Sequence, residues 1–184
     1  MMIAVVLSSN VKRMLKDNVL VRKQTGIEAA GSMNILFTDK TGTLTKGKMA
    51  VEGFIAPSGQ KISSLAELKS KYPDVFTSFC QNSIINTSAL VSSRKIIGGN
   101  ATERALLDLC KRYIPKSIPK PSSKNPFNSN KKYSSAMLDN KLYVKGAPDV
   151  LKNKIDPSSY QKLEVENAIS EVQSKGKRVI YLCE

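Results

Sequence analysis

The sequence predicts an α/β fold, and three patterns carry this prediction. Residues 33–38 form an apolar run that ends at Asp39, which is typical of a buried strand delivering a polar group to the tip of a sheet. Apolar residues recur at helical spacing over 102–113 and over 163–175. Two alternating segments flank Asp139-Asn140, a pair that tolerates the positive φ of a tight hairpin turn.

The N-terminal residues predict one helix, which fits either the end of a membrane helix or an ordinary amphipathic helix. Residues 1–7 are apolar, but the run is shorter than the ~20 residues that span a bilayer, and it lacks a basic leader and a cleavage site. Lys12, Arg13 and Lys16 follow at once, as in a membrane helix that leaves on the cytoplasmic side. An ordinary amphipathic helix fits equally well.

The next elements are a short strand at 19–21, the strand at 33–38, and a loop rich in Thr and Gly. From about Lys46 the pattern changes to strand-like pieces around a turn at 57–59, so we place a domain boundary near Thr45. Helices are expected near 64–71, 74–86 and 102–113, and an irregular, proline-rich loop over 115–126.

The hairpin is expected to pair 134–138 with 141–145. A two-residue turn places Ser134 opposite Lys145, and period-two alternation then puts Lys132 on the same face as Lys145. Two ammonium groups so close repel each other unless an anion lies between them. The pattern therefore indicates an anion site, although two solvated lysines would be the ordinary interpretation.

The last elements are the helix 163–175, capped by Gly176, and a strand over 178–183. A chain that stops at Glu184, directly after a strand, is expected to be part of a longer protein.

Composition excludes several kinds of chemistry. The 184 residues contain no His and no Trp, which rules out Ser-His and Cys-His nucleophilic pairs and His-ligated zinc. Three separated cysteines encode neither a zinc cluster nor a disulfide framework. The 29 Lys and Arg against 15 Asp and Glu give a net charge of +14, which favours an anionic partner. Because the basic residues are scattered without interleaved aromatics, nucleic acid is not expected.

The sharpest chemical feature is the segment 37–45, in which a strand delivers Asp39 to a loop of small residues. A carboxylate so placed can attack the γ-phosphate of ATP and form an aspartyl phosphate, with Mg²⁺ offsetting the repulsion between the two anions. An Asp that only caps a turn is the alternative.

Residues 39–45 read DKTGTLT, which resembles the phosphorylation signature of the P-type ion-transporting ATPases. The resemblance implies that Asp39, Lys40 and Thr41 form the catalytic loop, that Asp39 is phosphorylated, and that Asp39 and the Thr41 carbonyl help to hold Mg²⁺. It also implies a Rossmann-like phosphorylation domain of the haloacid dehalogenase superfamily, incomplete here, into which an α+β nucleotide-binding domain is inserted.

Three further segments, 99–103, 126–132 and 145–148, resemble nucleotide-site motifs of this family in the expected order, and Arg178 resembles the family's basic residue at the return from the nucleotide-binding domain. They imply that ATP is bound by six residues: Glu103, Phe127, Lys132, Lys145, Gly146 and Arg178. Glu103 would face the base, and Phe127 would stack on it. Asn100 and Glu103 also fit a capping box, and both roles can coexist. Ser129 stands where some members have an Arg, which removes one phosphate contact.

The resemblance implies four regions. These are the end of a membrane helix with its stalk (1–18), the first part of the phosphorylation domain (19–45), the nucleotide-binding domain (46–178) and the return to the phosphorylation domain (179–184). The intact protein would be an ATP-driven cation pump of the cell membrane with this region on the cytoplasmic side. The chain alone is expected to be monomeric and inactive.

Two other functions stay open. One is a free-standing dehalogenase-type phosphatase; such enzymes usually carry a second Asp where this chain has Thr41, and that Asp speeds hydrolysis of the acyl phosphate. The other is a non-enzymatic basic module that binds nucleotides or nucleic acid.

Overall fold

The computed structural model describes residues 2–23, 25–92 and 95–184. The chain folds as two compact units, Met1–Lys46 and Gly47–Glu184, and each is described by itself below. Expectations that fall on Met1, Gln24, Ser93 and Arg94 lie outside the described residues.

The first unit is helical. Helix α1 (Met2–Lys16) is followed by Asn18, whose left-handed φ of 60° lets the Val19 N–H bond back to the Met14 carbonyl at 2.9 Å. Helix α2 (Thr25–Gly31) was not expected from the sequence. In the described ranges, no helix combines the length and the apolar character that crossing a bilayer requires.

Two strand predictions for this unit are wrong. Residues 19–21 and 33–38 have no strand structure. Ile35, Leu36 and Phe37 are 71%, 68% and 92% exposed, so no neighbouring strand covers them. A strand persists only where its backbone groups find partners, and the apolar pattern alone does not provide them.

The second unit is built around a four-stranded antiparallel sheet with the strand order β5-β6-β7-β8. The strands are β5 (Ser123–Asn128), β6 (Tyr133–Leu138), β7 (Lys141–Gly146) and β8 (Tyr181–Cys183). Two small hairpins accompany it: β1 (Phe54–Ile55) with β2 (Lys61–Ile62), and β3 (Ala89–Ser92) with β4 (Lys95–Gly98).

The hairpin between β6 and β7 has the predicted register, with Ser134 opposite Lys145. Asp139 and Asn140 form its turn with φ of 51° and 61°, as a two-residue turn of this hand requires. Strand β5 pairs with β6 as far as Asn125 and then shifts register before Asn128. The sequence predicted an irregular, proline-rich loop over 115–126, so it indicated neither β5 nor this bulge.

Five α-helices lie in the described residues of the second unit, and the three that the sequence placed before the hairpin are confirmed. They are α3 (Leu65–Lys71), α4 (Pro73–Ile85), α5 (Ala101–Cys110), α6 (Pro148–Leu151) and α7 (Lys162–Ser174). Their starts follow ordinary capping rules: Ser64 accepts the Glu67 N–H, and Pro73 occupies the first turn of α4. Gly176, with φ of 72°, follows α7 as predicted.

The core lies where α4 and α5 pack against the sheet. Its buried apolar side chains come from both helices and from the β6–β7 hairpin: Phe79, Ile84 and Ile85 from α4, Leu106, Leu107 and Cys110 from α5, and Ala136, Leu138 and Tyr143 from the hairpin. Phe54 meets Phe79 edge to face at 5.0 Å.

The mixed α/β class predicted from the sequence is confirmed by these elements. Strand β8 pairs with β7, so the C-terminal residues extend the hairpin sheet. The three boundaries between the four predicted regions, including the change at 179, stay predictions.

Candidate functional site

The loop that follows Asp39 is closed by its own backbone. The Lys40 carbonyl accepts the N–H groups of Leu44 and Thr45, both at 3.0 Å, and Thr41 forms an isolated parallel bridge with Thr45. Gly42 has a φ of 87°, a conformation that a residue with a Cβ would adopt only with strain.

Asp39 lies at the entrance of this loop with its carboxylate exposed. Its Oδ1 accepts the Thr41 N–H at 3.4 Å, and the Lys40 side chain beside it is also exposed. A carboxylate in this position is open to a phosphoryl donor. The donor set of Asp39 with the Thr41 carbonyl consists of oxygen, which suits Mg²⁺, an ion that commonly takes one or two carboxylates and completes its shell with water and substrate phosphates.

A buried charge cluster lies where α4, α5 and the sheet meet. Lys145 is only 5% exposed, and its ammonium donates to the Asn86 carbonyl at 2.6 Å. Glu103 is 3% exposed, and its Oε1 lies 3.7 Å from the Lys145 Nζ. The sequence predicted both residues for one nucleotide site, and the structure brings them together.

Burial lowers the pKa of Lys145 from 10.5 to about 8, because the interior disfavours the ammonium form. The Glu103 carboxylate opposes this shift, whereas the positive charge of Lys124 adds to it. The charge of Lys145 therefore changes in a range slightly above neutral pH.

Glu103 is fixed by the first turn of its own helix. Its Oε2 accepts the Asn100 N–H at 3.1 Å while its own N–H bonds to Asn100 Oδ1 at 2.9 Å, which is the capping box expected from the sequence. At Gly99, which has a φ of 62°, a Cβ would come within 2.8 Å of the Glu103 Oε2. The loop thus needs glycine here so that the Glu103 carboxylate can cap the start of its own helix.

Two buried asparagines, Asn82 on α4 and Asn86 directly after it, hold the sheet to the helix, and neither was predicted from the sequence. Asn82 Nδ2 donates to the carbonyls of Val144 at 2.9 Å and Cys183 at 3.2 Å. Asn86 Nδ2 lies 3.2 Å from Asn82 Oδ1 and from the Ser134 carbonyl. The available signal was two amides four residues apart on the apolar face of a helix, where polar groups need buried partners.

Lys124 was also missed. It lies on β5 opposite Ala136, and its ammonium donates to the Thr87 carbonyl, the next one along the chain from the carbonyl that Lys145 binds. Nothing in the local sequence indicated this contact, because it depends on the pairing of β5 with β6.

Phe127 is half exposed on β5, beside a cavity of about 290 Å³. The cavity is also lined by Asn125, Tyr133 and Ser135. Ser135 pairs with Val144, so these residues alternate away from Lys145, and the cavity opens on the other face of the sheet from the charge cluster. The structure therefore does not bring the Phe127 ring against Glu103.

Lys132 does not continue the alternation of the hairpin. It precedes β6 in a left-handed conformation with φ of 58°, and its ammonium pairs with Asp149 at 3.1 Å. The expectation that Lys132 and Lys145 share a sheet face is wrong, because the turn before Tyr133 ends the strand period.

Gly146 lets the chain pass closely beside this turn. A Cβ there would come within 2.7 Å of the Lys132 carbonyl and 2.5 Å of the Tyr133 Cβ. Arg178 is exposed and lines a separate groove beside Lys177, which pairs with Glu52.

Four of the six residues predicted for the nucleotide lie at one end of the sheet: Phe127, Lys132, Lys145 and Gly146. Asn128 pairs with Tyr133, Tyr133 with Gly146, and Gly146 with Tyr181, so this row crosses all four strands. Phe127, Lys132 and Lys145 each lie one residue from the row. The binding roles of these side chains stay predictions.

Comparison with known proteins finds relatives of one kind. The chain is 35% identical over 159 residues to calcium-transporting ATPase 1 of Bacillus cereus, an alignment that takes in 81% of this chain and 17% of that protein. It is 30% identical over 163 residues to calcium-transporting ATPase 1 of Lactococcus lactis, with 83% and 18% covered. The sodium/potassium-transporting ATPase α subunit of Tetronarce californica is 27% identical over 217 residues, with 98% and 21% covered.

No family model matches the chain. The chain spans about a sixth of the length of the first curated relatives it matches, between 14% and 18%.

Proposed function

This chain belongs to the P-type cation-transporting ATPases, and from that premise we propose that it binds ATP and carries the aspartate that accepts the γ-phosphoryl group in an ATP-driven cation pump. The observation that carries the proposal is the DKTGTLT loop, in which Asp39 is exposed and the following backbone folds back on Lys40. The transported cation and the membrane setting belong to the same proposal, with this region on the side of the membrane where ATP is found.

The proposed chemistry is a phosphoryl transfer to a carboxylate. A carboxylate oxygen of Asp39 forms a bond to the γ-phosphorus of ATP, the bond from that phosphorus to the bridging oxygen breaks, and ADP leaves with the electron pair. Mg²⁺, when bound by Asp39 and the Thr41 carbonyl, supplies charge neutralisation between the carboxylate and the phosphates. Thr41 also orients Asp39, since its N–H bonds to Oδ1 at 3.4 Å.

The proposed nucleotide site is the end of the sheet at the row from Asn128 to Tyr181. The half-exposed Phe127 offers a ring on which a base can stack, a contact worth about 1–3 kcal/mol. Lys132 is exposed at the same end of the sheet, and Lys145 with Glu103 is buried on the opposite sheet face from the cavity beside Phe127. Because Lys145 is buried, its ammonium must leave the Asn86 carbonyl in order to reach a phosphate.

Titration of the chain with ATP, followed by NMR or calorimetry, tests this assignment. We expect a dissociation constant on the order of 0.1–1 mM without Mg²⁺, and roughly tenfold weaker binding in Phe127→Ala. Phe37→Ala is the matched control, since Phe37 is 92% exposed and lies in the other unit. Loss of affinity in Phe37→Ala or Asp39→Asn, with none in Phe127→Ala, would show that the nucleotide binds elsewhere.

A further inference from the structure

Two lysines of the second unit bind consecutive carbonyls at the end of helix α4. Lys145 donates to the Asn86 carbonyl at 2.6 Å, and Lys124 donates to the Thr87 carbonyl. These oxygens follow directly on the last residue of α4, where the helix dipole places partial negative charge. Both ammonium groups are thus held at one point of the fold by the same short piece of backbone.

The sheet register places the two lysines on the same face. Lys124 pairs with Ala136, and Ala136 pairs with Tyr143, so these three residues lie in one row. Lys145 lies two residues along β7 from Tyr143 and therefore projects on that side, toward α4 and α5.

The charges around Lys145 do not balance. Helix α5 contributes the carboxylate of Glu103, and β5 contributes the ammonium of Lys124. Helix α4 and strand β6 face it with uncharged groups, the Asn86 carbonyl and Ser134. Within the described residues, Lys145 pairs with a carboxylate and Lys124 does not, so one positive charge remains in excess.

We propose that Lys124 is a positioning residue of the nucleotide site, which holds the 86–87 backbone under Lys145 and controls, through its charge, whether Lys145 carries a proton when ATP arrives. This inference rests on the proposed ATP site. Lys124 acts through Lys145 and need not touch the nucleotide. The lowered pKa of Lys145, to which Lys124 contributes, is consistent with this role.

The first test measures the Lys145 ammonium directly, without nucleotide. The ¹³Cε shift of Lys145 is followed by NMR from pH 6.5 to 10.5 in the full chain and in Lys124→Met. We expect the titration midpoint to rise by about 0.5–2 pH units in Lys124→Met, since a nearby positive charge is removed. Lys124→Arg keeps the charge and should keep the midpoint, and Lys154→Met, at an exposed lysine, is the matched control.

The second test compares ATP binding at pH 7 and pH 8.8. The full chain should lose affinity at the higher pH as Lys145 loses its proton, whereas Lys124→Met should keep more of its affinity. A purely structural role would weaken binding in Lys124→Met by the same factor at both pH values, and that result overturns the inference. So does an unmoved Lys145 midpoint in the first test.

The two proposals fail in different ways. If the full chain binds no ATP at either pH, the proposed function falls and this inference falls with it, whatever the titration of Lys145 shows. If ATP binds and Phe127→Ala weakens it, but Lys124→Met leaves both the midpoint and the pH dependence unchanged, only the role of Lys124 is wrong.

Discussion

Burial of the Lys145 ammonium lowers the free energy of unfolding by an amount that depends on pH. Its pKa is lowered to about 8 in the folded chain from 10.5 in the unfolded one, so between these values the unfolded chain holds a proton that the folded chain has released. Unfolding then takes up a proton, and the free energy of unfolding rises as the pH increases through this window. Below pH 8 Lys145 is charged in the folded chain, so the buried ammonium lowers the free energy of unfolding by its full amount.

This behaviour gives a prediction that needs no nucleotide. Urea unfolding of the full chain should show the free energy of unfolding rising between pH 8 and 10.5, with Lys145 contributing about 3 kcal/mol over this window. Lys145→Met should remove the rise, while Lys154→Met should keep it. A slope that is the same in Lys145→Met would show that other groups produce it.

The buried side chain of Asn82 stabilises the fold through its hydrogen bonds. Replacing it by Ala leaves the carbonyls of Val144 and Cys183 without their donor and removes one partner of Asn86. We expect a loss of roughly 2–4 kcal/mol in the free energy of unfolding, since buried polar groups are left unpaired. Asn153→Ala, at an exposed position, is the control and should change stability by less than about 0.5 kcal/mol.

At the scale of elements, the turn of the β6–β7 hairpin sets the register of the charge cluster. Asn140 has a φ of 61°, which Gly adopts freely and a β-branched residue adopts only with strain. Asn140→Gly should therefore stabilise the chain by a few tenths of a kcal/mol, and Asn140→Val should destabilise it by about 1–2 kcal/mol. Thermal unfolding measures both, and a stabilising Asn140→Val would contradict the turn.

The same hairpin shows which elements the sequence could predict. Its turn and alternation are local, so the pairing of Ser134 with Lys145 follows from counting residues. Helices α3, α4 and α5 have local caps and apolar faces, and they too were predicted. Strand β5 forms by pairing with β6, and this pairing contains a bulge. The local pattern of Pro, Ser and Lys predicts neither feature.

The residues of the candidate site likewise differ in how far the local sequence could predict their positions. Glu103 and Lys145 were both predicted for the nucleotide site, a role that stays a prediction. The structure places their charged atoms 3.7 Å apart, because one residue sits in a capping box and the other in a hairpin of fixed register. The position of Lys132 was predicted wrongly, because a single left-handed residue ends the strand period. Asn82 and Asn86 were missed, because their role appears only when α4 meets the sheet.

In the whole chain, the proposed ATP binding and the proposed phosphoryl transfer belong to different units. Asp39 lies in the unit that ends at Lys46, and the proposed ATP site lies in the other. Asp39 and the Thr41 carbonyl also supply only part of the oxygen shell that Mg²⁺ needs. The relatives are several times longer than this chain, which leaves room in them for further ligands.

We therefore predict that the chain alone, incubated with γ-labelled ATP and Mg²⁺, forms no acid-stable label at Asp39. Asp39→Asn serves as the control for labelling elsewhere. A hydroxylamine-sensitive band that disappears in Asp39→Asn would contradict the predicted inactivity and would itself support Asp39 as the phosphoryl acceptor.

The two units should also differ in their resistance to proteolysis. Chymotrypsin cuts after aromatic residues, and Phe37 is 92% exposed in a segment without strand structure, whereas Tyr143 is 2% exposed on a strand paired on both sides. Brief digestion should thus cleave after Phe37 well before Tyr143 and leave a protected piece that contains the hairpin. Mass spectrometry identifies the cuts, and the urea-unfolded chain, in which both sites are open, provides the reference rate for each. If the folded chain protects Phe37 as strongly as Tyr143, then residues 33–38 are covered in solution, and the buried strand predicted from the sequence has found a partner there.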